Sequence, residues 1–306
     1  MSETVNAIIV NRDNPGRLIK APISLADPAP HQLTVRVTAI SLNRGEVKRA
    51  LFAPPPNWRP GWDFAGVVER VASDGSGPAE GTRVIGVLPT SGSWAEKVCV
   101  GSDWIAPLPD DVSDEVGVTL PIAGLTALHA LRQGGTLLGR KILVSATTGG
   151  VGQFAVQIAA ASGAYVYGQV RDPVQAREVE QFCTAGIAVG ETIDAARNNG
   201  PFDLILESVG GSSLSAAMGM LAPNGICVHF GISAAREVTF NSEAFFFIGG
   251  ASLYGLNVFH ELKSESAAKG LTTLLDFTRN GVIKPQISRQ ASWRDIDDLG
   301  RVDEFG

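Results

Sequence analysis

The alternation of apolar and polar positions changes texture near Val116. Before that point short apolar runs recur, TVNAIIV, QLTVRVTAI, AGVVERVA, TRVIGVL and SWAEKVCV. Turn-rich clusters such as DNPG, ASDGSGPAEG and LPTSGS separate them. Short β-prone runs divided in this way predict a strongly twisted, mostly antiparallel sheet or partial barrel. Beyond Val116 a helix-like stretch, Leu120–Leu131, leads into alternating segments: KILVSA, VGQFAVQIAAASG, YVYGQV, PVQAREVEQFCTAG, FDLILESV, SLSAAMGMLAPNG and ICVHFG. Strands alternating with helices at this spacing predict βαβ units and a parallel sheet. A further helix-like stretch, SAAKGLTTLLDFTRNG, then VIKPQIS and a short acidic end complete the chain. The expected fold class is α/β. A β-rich domain takes residues 1–118 with 258–306, and a doubly wound Rossmann domain takes 119–257.

The sharpest local signal lies in KILVSATTGGVGQFAVQIAAASGAYVYGQVRD. An apolar strand ends at Ser145, a small-residue turn follows, and a helix begins near Val151. Ala146, Gly149 and Gly152 form A-x-x-G-x-x-G, a variant of the dinucleotide fingerprint. The turn Ala146, Thr147, Thr148, Gly149, Gly150, Val151, Gly152 is the expected cofactor cradle. Gly149 and Gly150 let the backbone approach a pyrophosphate, which free helix amides and the dipole favour. Gly152 permits close helix–strand packing.

Cofactor choice is read at the end of the second strand of this unit. An NAD site usually carries an acidic residue there for the ribose 2′-hydroxyl. Here the position is Arg171, suited to pair with a 2′-phosphate, which points to NADPH. Asp172, next in the chain, is equally placed to serve a ribose. FDLILESVGG and ICVHFGIS end in Gly-containing turns, so Ser208, Val209, Gly210, Phe230 and Gly231 are candidates to line the nicotinamide half.

Composition narrows the classes. The net charge of −6 comes from 25 Lys+Arg against 31 Asp+Glu without a basic run, so neither a nucleic acid nor an anionic membrane is an expected partner. No stretch has the length of a membrane span, and the N-terminus lacks the pattern of a signal peptide. Cys99, Cys183 and Cys227 are odd in number and far apart, which fits buried structural thiols and a reducing cytoplasm.

The succession SLNRGE, GWDFAGVV, LPIAGLTALHAL, ATTGGVG and ESVGG resembles the medium-chain dehydrogenases/reductases over most of the chain. The resemblance implies a GroES-like catalytic domain beside the Rossmann domain. Zinc-dependent members hold a catalytic zinc by Cys, His and Cys; the matching positions here are Asn43, Trp62 and Ile122. Trp and Ile cannot coordinate zinc, so the expected metal set is none. The resemblance is therefore to the zinc-free, quinone-oxidoreductase-like (zeta-crystallin-like) branch. It implies hydride delivery from NADPH, in an interdomain cleft, to a small apolar electrophile such as a quinone or an α,β-unsaturated carbonyl.

In that branch Asn43 is expected to hydrogen-bond the acceptor oxygen or the cofactor ribose, with a capping role as the alternative; Thr126 is expected to contact the nicotinamide. Phe52, Trp58, Trp62 and Phe246, within the run Phe245–Phe247, are candidates for the apolar pocket, with ordinary core as the alternative. The resemblance also implies a homodimer through sheet edges near ASLYGLNV.

Two features depart from relatives. Enoyl-thioester reductases place a proton-donating Tyr after the Asn motif, where this chain reads EVKRALFAPPP. Relatives also close with a strand carrying a Gly-Lys pair, whereas this sequence ends at RVDEFG. Besides the quinone or enone reductase, an enoyl-thioester reductase, an NADPH-binding sensor and a crystallin-like structural protein remain open.

Overall fold

The computed structural model describes residues 3–11, 18–52, 54 and 58–294, and the closing RVDEFG lies outside the described residues. Two compact units divide the chain: residues 1–122 with 265–279 and 285–306, and residues 123–264 with 280–284.

In the first unit, β1 (Thr4–Val10) and β2 (Leu18–Ser24) pair antiparallel, Thr4 opposite Ser24 and Val10 opposite Leu18. A five-stranded antiparallel sheet runs in the order β6-β3-β4-β5-β7. Its strands are β3 (Gln32–Ala39), β4 (Asp63–Arg70), β5 (Arg83–Val87), β6 (Lys97–Gly101) and β7 (Ile105–Pro107). Leu33, Val35, Phe64, Val68, Val84, Val98, Val100 and Ile105 form one buried cluster. Val98 and Val100 alternate with less buried neighbours along β6, as a sheet with one covered face requires.

Two short helices belong to this unit. α1 spans Arg44–Phe52, and α2 (Asp114–Gly117) is capped by the Ser113 side chain.

The second unit is a six-stranded parallel sheet, ordered β10-β9-β8-β11-β12-β13. The strands are β8 (Lys141–Val144), β9 (Tyr165–Val170), β10 (Gly186–Val189), β11 (Phe202–Glu207), β12 (Leu221–His229) and β13 (Ser252–Gly255). Counted within the unit this is the order 3-2-1-4-5-6, the doubly wound Rossmann arrangement. The order reverses between β8 and β11, and ligands of such sheets sit beyond the carboxyl ends of the strands at that point. Ile142, Leu143, Val144, Leu204, Ile205 and Leu206 are fully buried, as strands covered on both faces must be.

Helices α3 (Leu125–Arg132), α4 (Gly150–Ala161), α5 (Pro173–Val179), α6 (Gly211–Met218), α7 (Ser242–Ile248) and α8 (Val258–Glu261) belong to this unit. The last helix, α9 (Ala267–Arg279), returns to the first unit and lies against β5 and β7. Its buried residues, Ala267, Gly270, Leu271, Leu274 and Leu275, form one helical stripe. Burying each of the three leucines contributes roughly 1.5–3 kcal/mol. Among the described residues no helix is long and apolar enough to cross a membrane.

Candidate active site

The turn between β8 and α4 turns some of its polar groups inward and leaves others free. Ala146, at φ +46°, donates its amide to Gln169 Oε1 at 3.1 Å. Thr147 donates its amide to the Gln169 carbonyl at 3.0 Å, and its buried hydroxyl sits between the carbonyls of Val144 and Gln169, 2.9 and 3.0 Å away. Gly149 donates to the Ala146 carbonyl at 2.9 Å. The first i to i−4 bond of the helix is Gln153 to Gly149. Ahead of it, the amides of Gly150, Val151 and Gly152 have no carbonyl partner among the described residues. Three amides at the head of a twelve-residue helix, exposed at Gly150, make an anion cradle.

The glycines divide by role. A Cβ on Gly152 would lie 2.5 Å from the Ala146 carbonyl oxygen and 2.7 Å from that of Thr147, so packing demands glycine there. On Gly150 a Cβ would meet only Ala123 Cβ, at an ordinary 3.7 Å. The packing of the protein itself does not require Gly150 to be bare.

Arg171 follows β9 directly, is exposed, and its guanidinium has no partner among the described residues. Asp172 is occupied, its Oδ1 accepting from the amides of Val174 and Gln175 at 2.9 and 3.1 Å as the N-cap of α5. Of the two candidates for the ribose end, only Arg171 is left unengaged. Gln169 ties this strand end to its neighbours: besides holding Ala146, its Nε2 donates to the Gly190 carbonyl at 2.6 Å.

The turns after β11 and β12 are joined by Glu207, which sequence reasoning passed over. The carboxylate is fully buried. It accepts from the amides of Val209 (2.8 Å) and Gly210 (3.0 Å) and from His229 Nδ1 at 2.9 Å. Ser208 donates its amide to Ser145 Oγ at 3.0 Å, bringing the β8 and β11 ends together. Gly231 packs so closely on Ser208 that a Cβ would lie 2.6 Å from the Ser208 carbonyl oxygen. Phe230 donates its amide to the Glu207 carbonyl at 3.0 Å. Ser208, Val209, Gly210 and Phe230 thus stand on one hydrogen-bonded platform, with Gly231 packed against it.

In the first unit Asn43 precedes α1, and Glu46 reaches back to its amide at 2.8 Å, as in a capping box. The Asn43 side-chain nitrogen donates to Glu46 Oε1 at 2.9 Å and to Asp63 Oδ2 at 2.6 Å. Asp63 Oδ1 accepts from the Ile122 amide at 2.9 Å. Both carboxyls are wholly buried. Burial pushes Glu46 from its usual 4.5 up to about 7, against the hydrogen bonds from Asn43 and the amides of Trp62 and Gly61. Burial, and then the neighbouring Glu46 charge, push Asp63 well above its usual range. Sequence reasoning found Asn43 and missed both acids, although N-x-x-E is a capping signature and an Asp opening an apolar strand needs partners.

The other candidates are dispersed. Thr126 is buried in α3 of the second unit. Trp58, under the Arg49 guanidinium at 5.0 Å, packs on the Ile8, Val47 and Trp94 cluster. Trp62 is half-buried and accepts from the Leu88 amide at 2.7 Å. Phe52 is 70% exposed; Phe246, on α7 in the second unit, is 76% exposed and stands edge-on to Phe247. Cys183 and Cys227 are buried and Cys99 half-buried; burial raises the Cys183 thiol to about 12 and Cys227 further. None of the three has the lowered pKa of a nucleophile.

Residues 29–110 match the alcohol dehydrogenase GroES-like domain, and residues 150–275 match the zinc-binding dehydrogenase family. The quinone oxidoreductase of Pseudomonas aeruginosa is 31% identical over 229 residues, which cover 70% of this chain and 69% of that protein. The chain belongs to the medium-chain dehydrogenases/reductases. Its likeness is to the quinone-oxidoreductase-like branch, with the GroES-like and Rossmann folds expected.

The Escherichia coli quinone oxidoreductase complexed with NADPH superposes on this medium-chain member with a TM-score of 0.84 at 22% identity, covering 99% of this chain and 97% of that one. NorB of the spectinabilin polyketide synthase system of Streptomyces orinoci is 34% identical over 225 residues, 72% of this chain. The chain spans only about a tenth of the length of that synthase and of the other polyketide synthases it matches. Asn43, Trp62 and Ile122 do not form a ligand set, and among the described residues no three His, Cys, Asp or Glu side chains come together to hold a metal.

Proposed function

We propose that this chain is an NADPH-dependent, zinc-independent reductase that delivers hydride to a quinone or an α,β-unsaturated carbonyl. The observation that carries the reading is the trio of unengaged amides at Gly150, Val151 and Gly152 at the head of α4, where a pyrophosphate is favoured. Arg171, its guanidinium without a partner among the described residues at the end of β9, fits a 2′-phosphate.

Bound NADPH would supply the hydride. The protein's share is to bind, orient and exclude water. The platform of Ser208, Val209, Gly210, Phe230 and Gly231 is assigned to the nicotinamide end, with Thr126 as a further contact. Asn43 is the polar residue offered to ligand in the first unit. With Asn43, Trp62 and Ile122 at the positions matching zinc ligands, the fitting acceptor is one already electrophilic. The match to a polyketide synthase favours a second reading, reduction of an enoyl thioester.

A second copy of the chain is the proposed partner. β13 is an edge strand, and Phe246 and Phe247 on α7 are exposed, an arrangement that copy-to-copy pairing would cover. Unpaired cysteines fit a cytoplasmic setting.

Oxidation of NADPH, and of NADH in parallel, is to be followed with 1,4-benzoquinone, an enone and crotonyl-CoA as acceptors. Turnover with the first two and a preference for NADPH support the reading. Turnover with crotonyl-CoA alone moves it to the thioester, and tight NADPH binding without turnover moves it to a binding module.

A further inference from the structure

The stretch from Arg44 to Arg59 carries four cations, Arg44, Lys48, Arg49 and Arg59, against one acid, Glu46. Glu46 is wholly buried and taken up by Asn43, so what this stretch shows to solvent is positive, in a chain of net charge −6. Arg44, Lys48 and Phe52 recur every four positions and are all exposed, so they form one row along α1, with Arg49 beside it. The Phe52 ring, 70% exposed, stands at the end of this cationic row. The Arg49 guanidinium lies 5.0 Å from the centre of the Trp58 ring, a contact that holds it in place without using its N–H donors. Arg59 is half-buried beside Gly92, where a Cβ would lie 3.4 Å from its Nε and Nη2. Neither Arg44 nor Arg59 has a hydrogen-bond or carboxylate partner among the described residues.

Packing explains part of this: the contact with Trp58 accounts for Arg49, and a single exposed cation or Phe is ordinary. It does not explain Arg59, which has left much of its water without gaining an anion, nor a Phe in line with cations. An occupant needs negative charge for the guanidinium groups, which pair with phosphate in forked geometry, and a flat ring for Phe52, on which bases stack. The two together describe a nucleotide phosphate. An acidic peptide brings no base, and the pantetheine arm of a carrier protein brings a phosphate without one. Arg44 directly follows Asn43, the polar residue assigned to ligand in the same unit, so the row begins where an acceptor held at Asn43 would extend.

We propose that the exposed face of α1, together with Arg59, is a binding site for the adenosine phosphate tail of coenzyme A, which makes the acceptor an enoyl-CoA thioester. The site lies wholly within the first unit. The inference rests on the proposed function and takes its thioester reading. Reduction places the hydride of NADPH on Cβ of the enoyl group and a proton from solvent on Cα, giving the saturated thioester and NADP⁺.

The test uses the full chain. Steady-state KM is measured with NADPH for crotonyl-CoA, crotonyl-pantetheine and 1,4-benzoquinone. Binding of CoA is followed by calorimetry on protein saturated with NADP⁺, which keeps CoA out of the dinucleotide site. In the wild type the KM of crotonyl-CoA is expected to lie about tenfold or more below that of crotonyl-pantetheine, the worth of one charge-assisted hydrogen bond. CoA should bind more weakly as salt rises. Arg59→Ala is expected to weaken CoA, and to raise the crotonyl-CoA KM relative to that of 1,4-benzoquinone, by about tenfold. Equal KM values for the two thioesters would overturn the proposal, as would native CoA affinity in a folded Arg59→Ala. A KM raised alike for all three acceptors would overturn it by leaving Arg59 a structural role. A change confined to sedimentation would overturn it too, by making the face a contact between copies. If Arg59→Ala does not fold, the two thioesters on the wild type decide. A wild type that oxidises NADPH with none of the three removes the proposed function, and CoA binding still decides the site. Turnover of the quinone without crotonyl-CoA removes this inference alone.

Discussion

Glu207 and His229 stand side by side at the carboxyl ends of β11 and β12, with Oε2 and Nδ1 2.9 Å apart. The pair joins two turns that carry the candidate nicotinamide contacts, and the same carboxylate also receives the Val209 and Gly210 amides. Glu207→Ala would strip a partner from three donors at once. The expected cost is about 3 kcal/mol or more of folding stability, read from denaturant unfolding. Glu207→Gln, which keeps one acceptor oxygen, should lose less stability yet still weaken NADPH. Unchanged cofactor affinity in that variant would separate the platform from the cofactor.

The two glycines at the head of α4 should fail differently when changed to alanine. In Gly152→Ala the new carbon meets backbone oxygens at 2.5 and 2.7 Å, so the loss is in stability, about 1–3 kcal/mol. Gly150→Ala has room within the protein, its nearest neighbour being 3.7 Å away. It should melt near the wild type and bind NADPH at least several-fold more weakly. Thermal unfolding beside fluorescence titration distinguishes the two; native affinity in Gly150→Ala would count against a close pyrophosphate.

Arg171→Ala should weaken NADPH much more than NADH, since only the former carries a 2′-phosphate. A charge-assisted hydrogen bond of about 1.5–3 kcal/mol corresponds to a loss of tenfold or more. Equal losses for both cofactors would detach Arg171 from the phosphate.

Glu46 keeps its proton in the folded chain up to about pH 7, while the unfolded chain loses it near 4.5. Between those values the folded state binds more protons, so stability falls as pH rises through the window, by at most about 3 kcal/mol. Asp63, shifted in the same direction, adds to the slope. Urea midpoints measured across the window should decline in the wild type and flatten in Glu46→Gln. A parallel decline in both would assign the slope to other groups.

Much of this molecule is legible before folding. YVYGQV coincides with β9, because a short β-prone run bounded by Gly and Asp has few alternatives. The turn A-x-x-G-x-x-G lies between strand and helix for the same local reasons. What stayed hidden was polar and long-range. Glu207 looks like any other acid in the sequence, and Glu46 and Asp63 carry only weak local signals; the fold buries all three and supplies their partners. The run Phe245–Phe247 invited a reading as pocket or core. As helix α7 it turns Phe246 and Phe247 to the surface and only Phe245 inward, because residues on one side of a helix recur every three or four positions.

Gln169 has one further effect. By holding Ala146 with its side chain, Thr147 with its backbone and Gly190 across the sheet, it braces the phosphate turn independently of whatever follows β9. Arg171, two residues on, is outside that brace. On the proposed assignment of Arg171 to a 2′-phosphate, coenzyme preference is modular: the residue at 171 can be exchanged, in the laboratory or over generations, while the frame beneath it keeps its shape.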